Sequence, residues 1–131
     1  IMEDKKLGYR VKQYKEPVKR YCQTLDLKDN PELIEKYKEC HSEEHIWPEI
    51  PAGIREVGIL EMEIYLIGTR LFMIVETPLS FDWDAAMTRL NKLPKQKEWE
   101  EFTSTFQVSL PGASSAEKWQ LMERIFYLYN E

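Results

Sequence analysis

Between Leu60 and Val75 two apolar runs stand back to back, and they constrain the fold more than any other stretch of the chain. Leu60, Met62, Ile64 and Leu66 alternate with Glu61, Glu63 and Tyr65, the period-two pattern of a strand with one buried face. Gly68-Thr69 supplies a tight turn, and Leu71 to Val75 returns as a more uniformly apolar strand. A lone hairpin is marginal in water, so this one needs further strands and a covering layer. Val18 to Lys28 provides a second alternating segment, with Tyr21, Gln23, Leu25 and Leu27 on one face. Asp29-Asn30-Pro31 then offers a capping residue and a proline suited to the first helical position. Leu33, Ile34, Tyr37, Cys40 and His41 follow at helical spacing.

The pattern continues in the same alternation. Trp47-Pro48 opens a helix to about Val57, with Pro51 within its first turn and Gly58 as its C-terminal stop. Ser80 is placed to cap a third helix, with Asp82 and Asp84 in its first turn and Trp83, Met87 and Leu90 inward. Leu93-Pro94 ends that helix, and another presents Trp99, Phe102 and Phe106. Leu110 to Ser115 reads as a loop and Met122 to Tyr129 as the last strand. The resulting order is βαββαβ: an α+β, ferredoxin-like arrangement, an antiparallel sheet with helices on one face. The other face is left open, and pairing with a second copy covers it.

At 131 residues the chain forms one domain, expected over residues 18–131, preceded by a basic, mobile arm over residues 1–17. Residues 1–20 carry seven bases against three acids, a net of +4 within an overall −5. The body is therefore acidic, which argues against a nucleic-acid surface. Cys22 and Cys40 are too few for a disulfide framework, which favours a reducing compartment. No signal-peptide core and no bilayer-spanning apolar run is present, so a soluble, cytoplasmic protein without a membrane partner is expected.

Chemistry concentrates around the two histidines. His41-Ser-Glu-Glu44-His45 matches H-x-x-E-H, a helical zinc motif in which His41 and His45 share the metal. Ile46-Trp47-Pro48 follows directly, however, and ends the helix that should hold both ligands. A second reading pairs Tyr37 with His41, four apart and hence on one helix face. Histidine is suited to proton transfer near neutral pH, with the tyrosine hydroxyl as hydrogen-bonding partner. A third makes His41 simply a residue capping the helix C-terminus. Trp83 reads as core. Among the carboxylates Glu76, ending an apolar strand, is the exception to a solvated surface. No phosphate loop, Ser-His-Asp order or CxxC supports nucleotide, acyl-transfer or thiol-redox chemistry.

Tyr37-Lys-Glu-Cys-His41 followed by Ile46-Trp47-Pro48-Glu49-Ile50 resembles the opening motif of the L-rhamnose mutarotases, where Tyr and His four apart precede Ile-Trp-Pro-Glu-Leu. Met62-Glu-Ile-Tyr65-Leu66 is similar to that family's second strand, Leu71 to Glu76 to its third, and Ile125-Phe-Tyr-Leu128 to its closing strand. Coverage runs from about Arg20 to Tyr129. The resemblance implies a homodimer of the dimeric α/β-barrel type, without metal or cofactor, interconverting the anomers of a 6-deoxy-hexose, L-rhamnose or L-fucose. It implies His41 as the acid/base and Tyr37 as a sugar ligand, with Trp99, Glu98, Met62, Tyr65 and Trp47 around the substrate. Departures bear on the substrate. His41 lies two residues further from Ile46 than usual, Met62 replaces a tyrosine, and Glu98 replaces the first of two tryptophans. A non-catalytic dimeric binding domain on the same frame is the alternative.

Overall fold

The computed structural model describes residues 5–108 and 118–129; the expected loop at Leu110–Ser115 lies outside them. The elements are β1 (Val18–Asp26), α1 (Pro31–Cys40), α2 (Glu49–Glu56), β2 (Glu61–Ile67), β3 (Arg70–Pro78), α3 (Trp83–Leu90), α4 (Gln96–Ser104) and β4 (Gln120–Leu121). The sheet order is β2-β3-β1-β4 with every pairing antiparallel, so the chain has the ferredoxin-like arrangement.

Local chemistry accounts for most boundaries. The Asn30 side chain accepts hydrogen bonds from the Glu32 and Leu33 N–H groups, and Pro31 stands where no N–H is needed. Pro51 falls in the first turn of α2, where a missing N–H costs little, so the helix keeps it. Gly58 takes φ +98° directly after that helix, and Gly68 takes +58° in the hairpin turn. In α3 the cap is Asp82 rather than Ser80. Its carboxylate accepts from Ala85 N–H at 3.1 Å, and its charge also suits the positive helix end.

Pleating sorts the sheet. Met62, Ile64 and Leu66 of β2 stand in register with Val75, Met73 and Leu71 of β3, and those in turn with Tyr21, Gln23 and Leu25 of β1. Leu25, Leu71, Met73 and Val75 are buried in the core with Tyr37, Phe106 and Trp119. The opposite face carries Phe72, Ile74, Cys22 and Tyr65. There the arm meets the sheet: Tyr9 packs edge-on to Tyr65, and the Tyr14 hydroxyl donates to Glu76 at 3.0 Å. Glu76 is buried and also pairs with Arg20 at 2.7 Å, the exception among carboxylates that its position implied.

The closing strand is shorter than its alternation predicts. Pairing with β1 stops at Leu121, followed by one bond from Met122 N–H to the Cys22 carbonyl. Ile125, Phe126, Leu128 and Tyr129 are 70–90% exposed. Among the described residues of one copy these side chains stay largely uncovered, so their apolar pattern is not satisfied by this sheet. Phe106 likewise lies beyond the end of α4, at a bridge segment where Lys28 N–H bonds to its carbonyl.

Lys95, opening α4, is the one described non-glycine residue at positive φ (+66°). An exposed L-residue there carries strain that glycine would not. Lys95→Gly is expected to raise stability by up to about 1 kcal/mol, read as a higher denaturant midpoint at unchanged slope.

Candidate active site

Between the helix-facing side of the sheet and the four helices lies a cavity of about 600 Å³, within the range of small-molecule sites. Its walls are mostly aliphatic: Met62, Ile64 and Leu66 from β2, Ile50 and Ile54 from α2, Met87 and Leu90 from α3. Polar groups enter at a few points, among them Tyr37, His41, Gln96, Glu100, Gln107 and Lys118.

Tyr37 and His41 arrive together. Tyr37 sits on the last turn of α1 and His41 is its C-terminal cap, with ring centroids 4.2 Å apart. The Tyr37 carbonyl lies 2.7 Å from His41 Nδ1. A carbonyl can only accept, so Nδ1 carries the proton and Nε2 keeps its lone pair. Burial holds the imidazole below its usual range, partly offset by this same hydrogen bond, so the ring is poised to be neutral. Trp99 meets the His41 ring edge-on at 5.1 Å. Tyr37 is buried deeper, its hydroxyl accepting from Gln107 Nε2 at 3.4 Å. Burial pushes its phenol up to about 12, so it stays protonated.

The helix-cap reading of His41 is thus correct as geometry and compatible with chemistry. The zinc reading fares differently. α1 ends at Cys40, and His45 is exposed in the following turn, its Nδ1 2.9 Å from Ser42 Oγ. The two histidines therefore do not share a helix face. Among the described residues no cluster of three or more His, Cys, Asp or Glu is placed to hold a metal ion.

Other expected contacts sort by position. Met62 and Trp99 line the cavity. Trp47 stands behind, against Trp99 at 5.0 Å and stacked on Phe102, and so supports the wall without lining it. Tyr65 is not brought to the site: the pleat sends it to the opposite face, where its hydroxyl donates to Glu63. Glu98 is also excluded. Gln96, Trp99, Glu100 and Thr103 form the cavity-facing stripe of α4, and at 100° per residue Glu98 points to the far side, exposed. Trp83, read as core, is half-buried against Tyr21 and borders the cavity.

Glu100, Gln96, Gln107 and Lys118 escaped the sequence reading. For the two α4 residues the signal was present: Gln96 and Glu100 flank Trp99 at i−3 and i+1, the same helical face. Gln96 is fixed by Nε2 bonds to the Glu49 and Ile50 carbonyls, where Gly53 lets α2 approach so closely that any Cβ would collide with it. Lys118 gave no pattern to read.

Comparison with known proteins fits this geometry. The family model described as L-rhamnose mutarotase matches residues 20–128. The chain belongs to the L-rhamnose mutarotase family. A member from Xanthomonas campestris pv. campestris, named L-fucose mutarotase, is 37% identical over 111 residues, covering 85% of this chain and 89% of the relative. A UPF0734 protein of Dictyostelium discoideum is 35% identical over 114 residues, covering 84% and 90% respectively. The crystal structure of an L-rhamnose mutarotase from Formosa agariphila superposes with a TM-score of 0.63 at 19% identity, over 85% of this chain and 99% of that one. It supports the fold. Family membership makes the chain a sugar mutarotase, an isomerase. Among the described residues no helix is long and apolar enough to cross a membrane.

Proposed function

We propose that the protein interconverts the α and β anomers of a 6-deoxy-hexose, L-fucose before L-rhamnose, with His41 as the proton-transfer group. The observation that carries this is the His41 tautomer. Its Nδ1–H is committed to the Tyr37 carbonyl, which leaves Nε2 with its lone pair at a largely apolar cavity roomy enough for a sugar. In ring opening, Nε2 removes the O1 proton while the C1–O5 bond breaks and O5 takes a proton from a bound water or a second group. C1 becomes an aldehyde, rotates, and is closed on its other face as the imidazolium returns its proton. Tyr37, kept protonated, is the sugar ligand at the cavity floor, and Trp99 offers a platform for the C–H face of the ring. The preference for L-fucose is supported by the name of the Xanthomonas relative and by a carboxylate in the pocket, Glu100 in place of the outward Glu98.

Saturation-transfer NMR on the two sugars tests this. Faster α/β exchange on adding catalytic protein is expected, with L-fucose ahead, in chelator-treated protein as in untreated. No acceleration for either sugar would remove the reading.

The pH dependence has a definite sign. The neutral imidazole is the base, so exchange should rise through a single ionisation below the usual histidine value and be flat above it. An acid limb centred at or above 6.5 would contradict a buried His41. Stability follows the same direction. The unfolded chain takes up the proton first, so the His41 contribution is present above the unfolded pKa and lost as pH falls through the folded one.

A homodimer belongs to the same proposal. The support is the C-terminal segment Ile125–Tyr129, whose large apolar side chains stand in water in a single copy. Burying each such side chain contributes roughly 1.5–3 kcal/mol. Together with Phe72 and Ile74, half-buried on the sheet face that the arm crosses, they supply an apolar surface for a second copy.

A further inference from the structure

Lys118 is the cavity's buried cation, with only 4% of its side chain exposed. A buried ammonium is costly unless its donors are used. Among the described residues it makes one hydrogen bond, to Ser104 Oγ, although an ammonium has three donors. Its charge partner is Glu100 Oε1 at 3.8 Å, too long for a hydrogen bond. The Glu100 side chain is itself 22% exposed, and among the described residues its carboxylate accepts no hydrogen bond. Donor and acceptor of opposite charge thus face one another across a gap, both bordering the same apolar cavity.

We infer that Lys118 and Glu100 form a charged pair that reads the hydroxyl configuration of the bound sugar. This rests on the sugar mutarotase reading and adds to it the group that sets specificity. A carbinol hydroxyl donates one hydrogen bond and accepts others, so it satisfies both members of a half-open ion pair at once. Vicinal hydroxyls of the right configuration do so bidentately. The wrong epimer leaves a buried charge unsatisfied, which gives far stronger discrimination than apolar contact. The placement suits hydroxyls remote from C1. Glu100 follows Trp99 on α4, and it is the Trp99 ring that meets His41, while the lining carries no contact between His41 and either member of the pair among the described residues. In this assignment His41 acts at the anomeric carbon, while Lys118 and Glu100 hold hydroxyls elsewhere on the ring.

The test is a cycle between protein and sugar. Wild type, Lys118→Met and Glu100→Gln are titrated by NMR with L-fucose and its 2-, 3- and 4-deoxy analogues, and anomer exchange is followed in the same samples. Each variant is expected to bind L-fucose about 10- to 100-fold more weakly, with KM rising by the same factor and kcat little changed. For at least one deoxy analogue the wild-type advantage should vanish, because the hydroxyl that the pair reads is gone. Lys118→Arg should recover part of the binding. Losses equal for L-fucose and every deoxy analogue would overturn the inference, since a merely structural ion pair affects all alike. If Lys118→Met does not fold, Glu100→Gln alone decides the cycle. If wild type binds and exchanges none of these sugars, the mutarotase reading falls, and this inference with it. If wild type is active and the cycle is additive, only the inference falls.

Discussion

His41→Ala is expected to lower catalysed anomer exchange by about 10²- to 10⁴-fold, the range that a positioned acid/base contributes. The substitution removes the only described imidazole in the cavity. Tyr37 is held protonated, so its phenol does not take over as the base. The effect should fall on kcat, because Nε2 meets the O1 proton mainly as it is transferred. Tyr37→Phe is the contrasting variant. It keeps the ring packed against His41 and Phe106 but loses the hydroxyl, so KM should rise while most of kcat survives. Both are read by saturation transfer on L-fucose against the spontaneous rate. Exchange by His41→Ala equal to wild type would remove His41 from the mechanism, whatever the family resemblance implies.

The second large effect concerns assembly. Wild type is expected to sediment as a dimer, and Phe126→Asp combined with Leu128→Asp as a monomer at the same concentration. Both residues are more than two-thirds exposed in one copy, so the substitutions cost the single chain little. In an interface core each would bury an unpaired carboxylate, a penalty of several kcal/mol, enough to shift the dissociation constant by orders of magnitude. Unchanged sedimentation of the double variant would show that the dimer uses another surface. A monomeric wild type would remove the dimer itself.

How much could be read from the chain follows from where periodicity speaks. The hairpin, the Asn30-Pro31 helix start and the Gly58 stop were all legible, because each is a local rule that tertiary packing reinforces. Tyr37 and His41 were legible as a pair by their spacing. Tyr65 stands on the sheet face away from the cavity, as its alternation with Met62 and Ile64 implies, whereas the resemblance puts it near the substrate. Glu98 likewise stands off the cavity, since helical rotation brings Glu100 rather than Glu98 to it. The end of the chain was read as strand because Ile125 to Tyr129 is apolar, but apolarity states only that a segment is to be buried, not against what. Lys118 was illegible altogether. Its importance comes from three-dimensional enclosure, and a lone lysine before Trp119 has no sequence mark of burial.

The proton on His41 Nδ1 is held by a main-chain carbonyl, not by a side-chain carboxylate as in many acid/base sites. Its partner is thus encoded by the helix end and is not removed by point substitution around the pocket. Lineages carrying this fold would be free to exchange lining residues such as Met62 or Glu100 and drift from one sugar to another. The base inherited with the backbone would come through each exchange unchanged. Chemistry and taste would then evolve on separate parts of the molecule, and a family sharing one reaction over several related sugars is the outcome such a division favours.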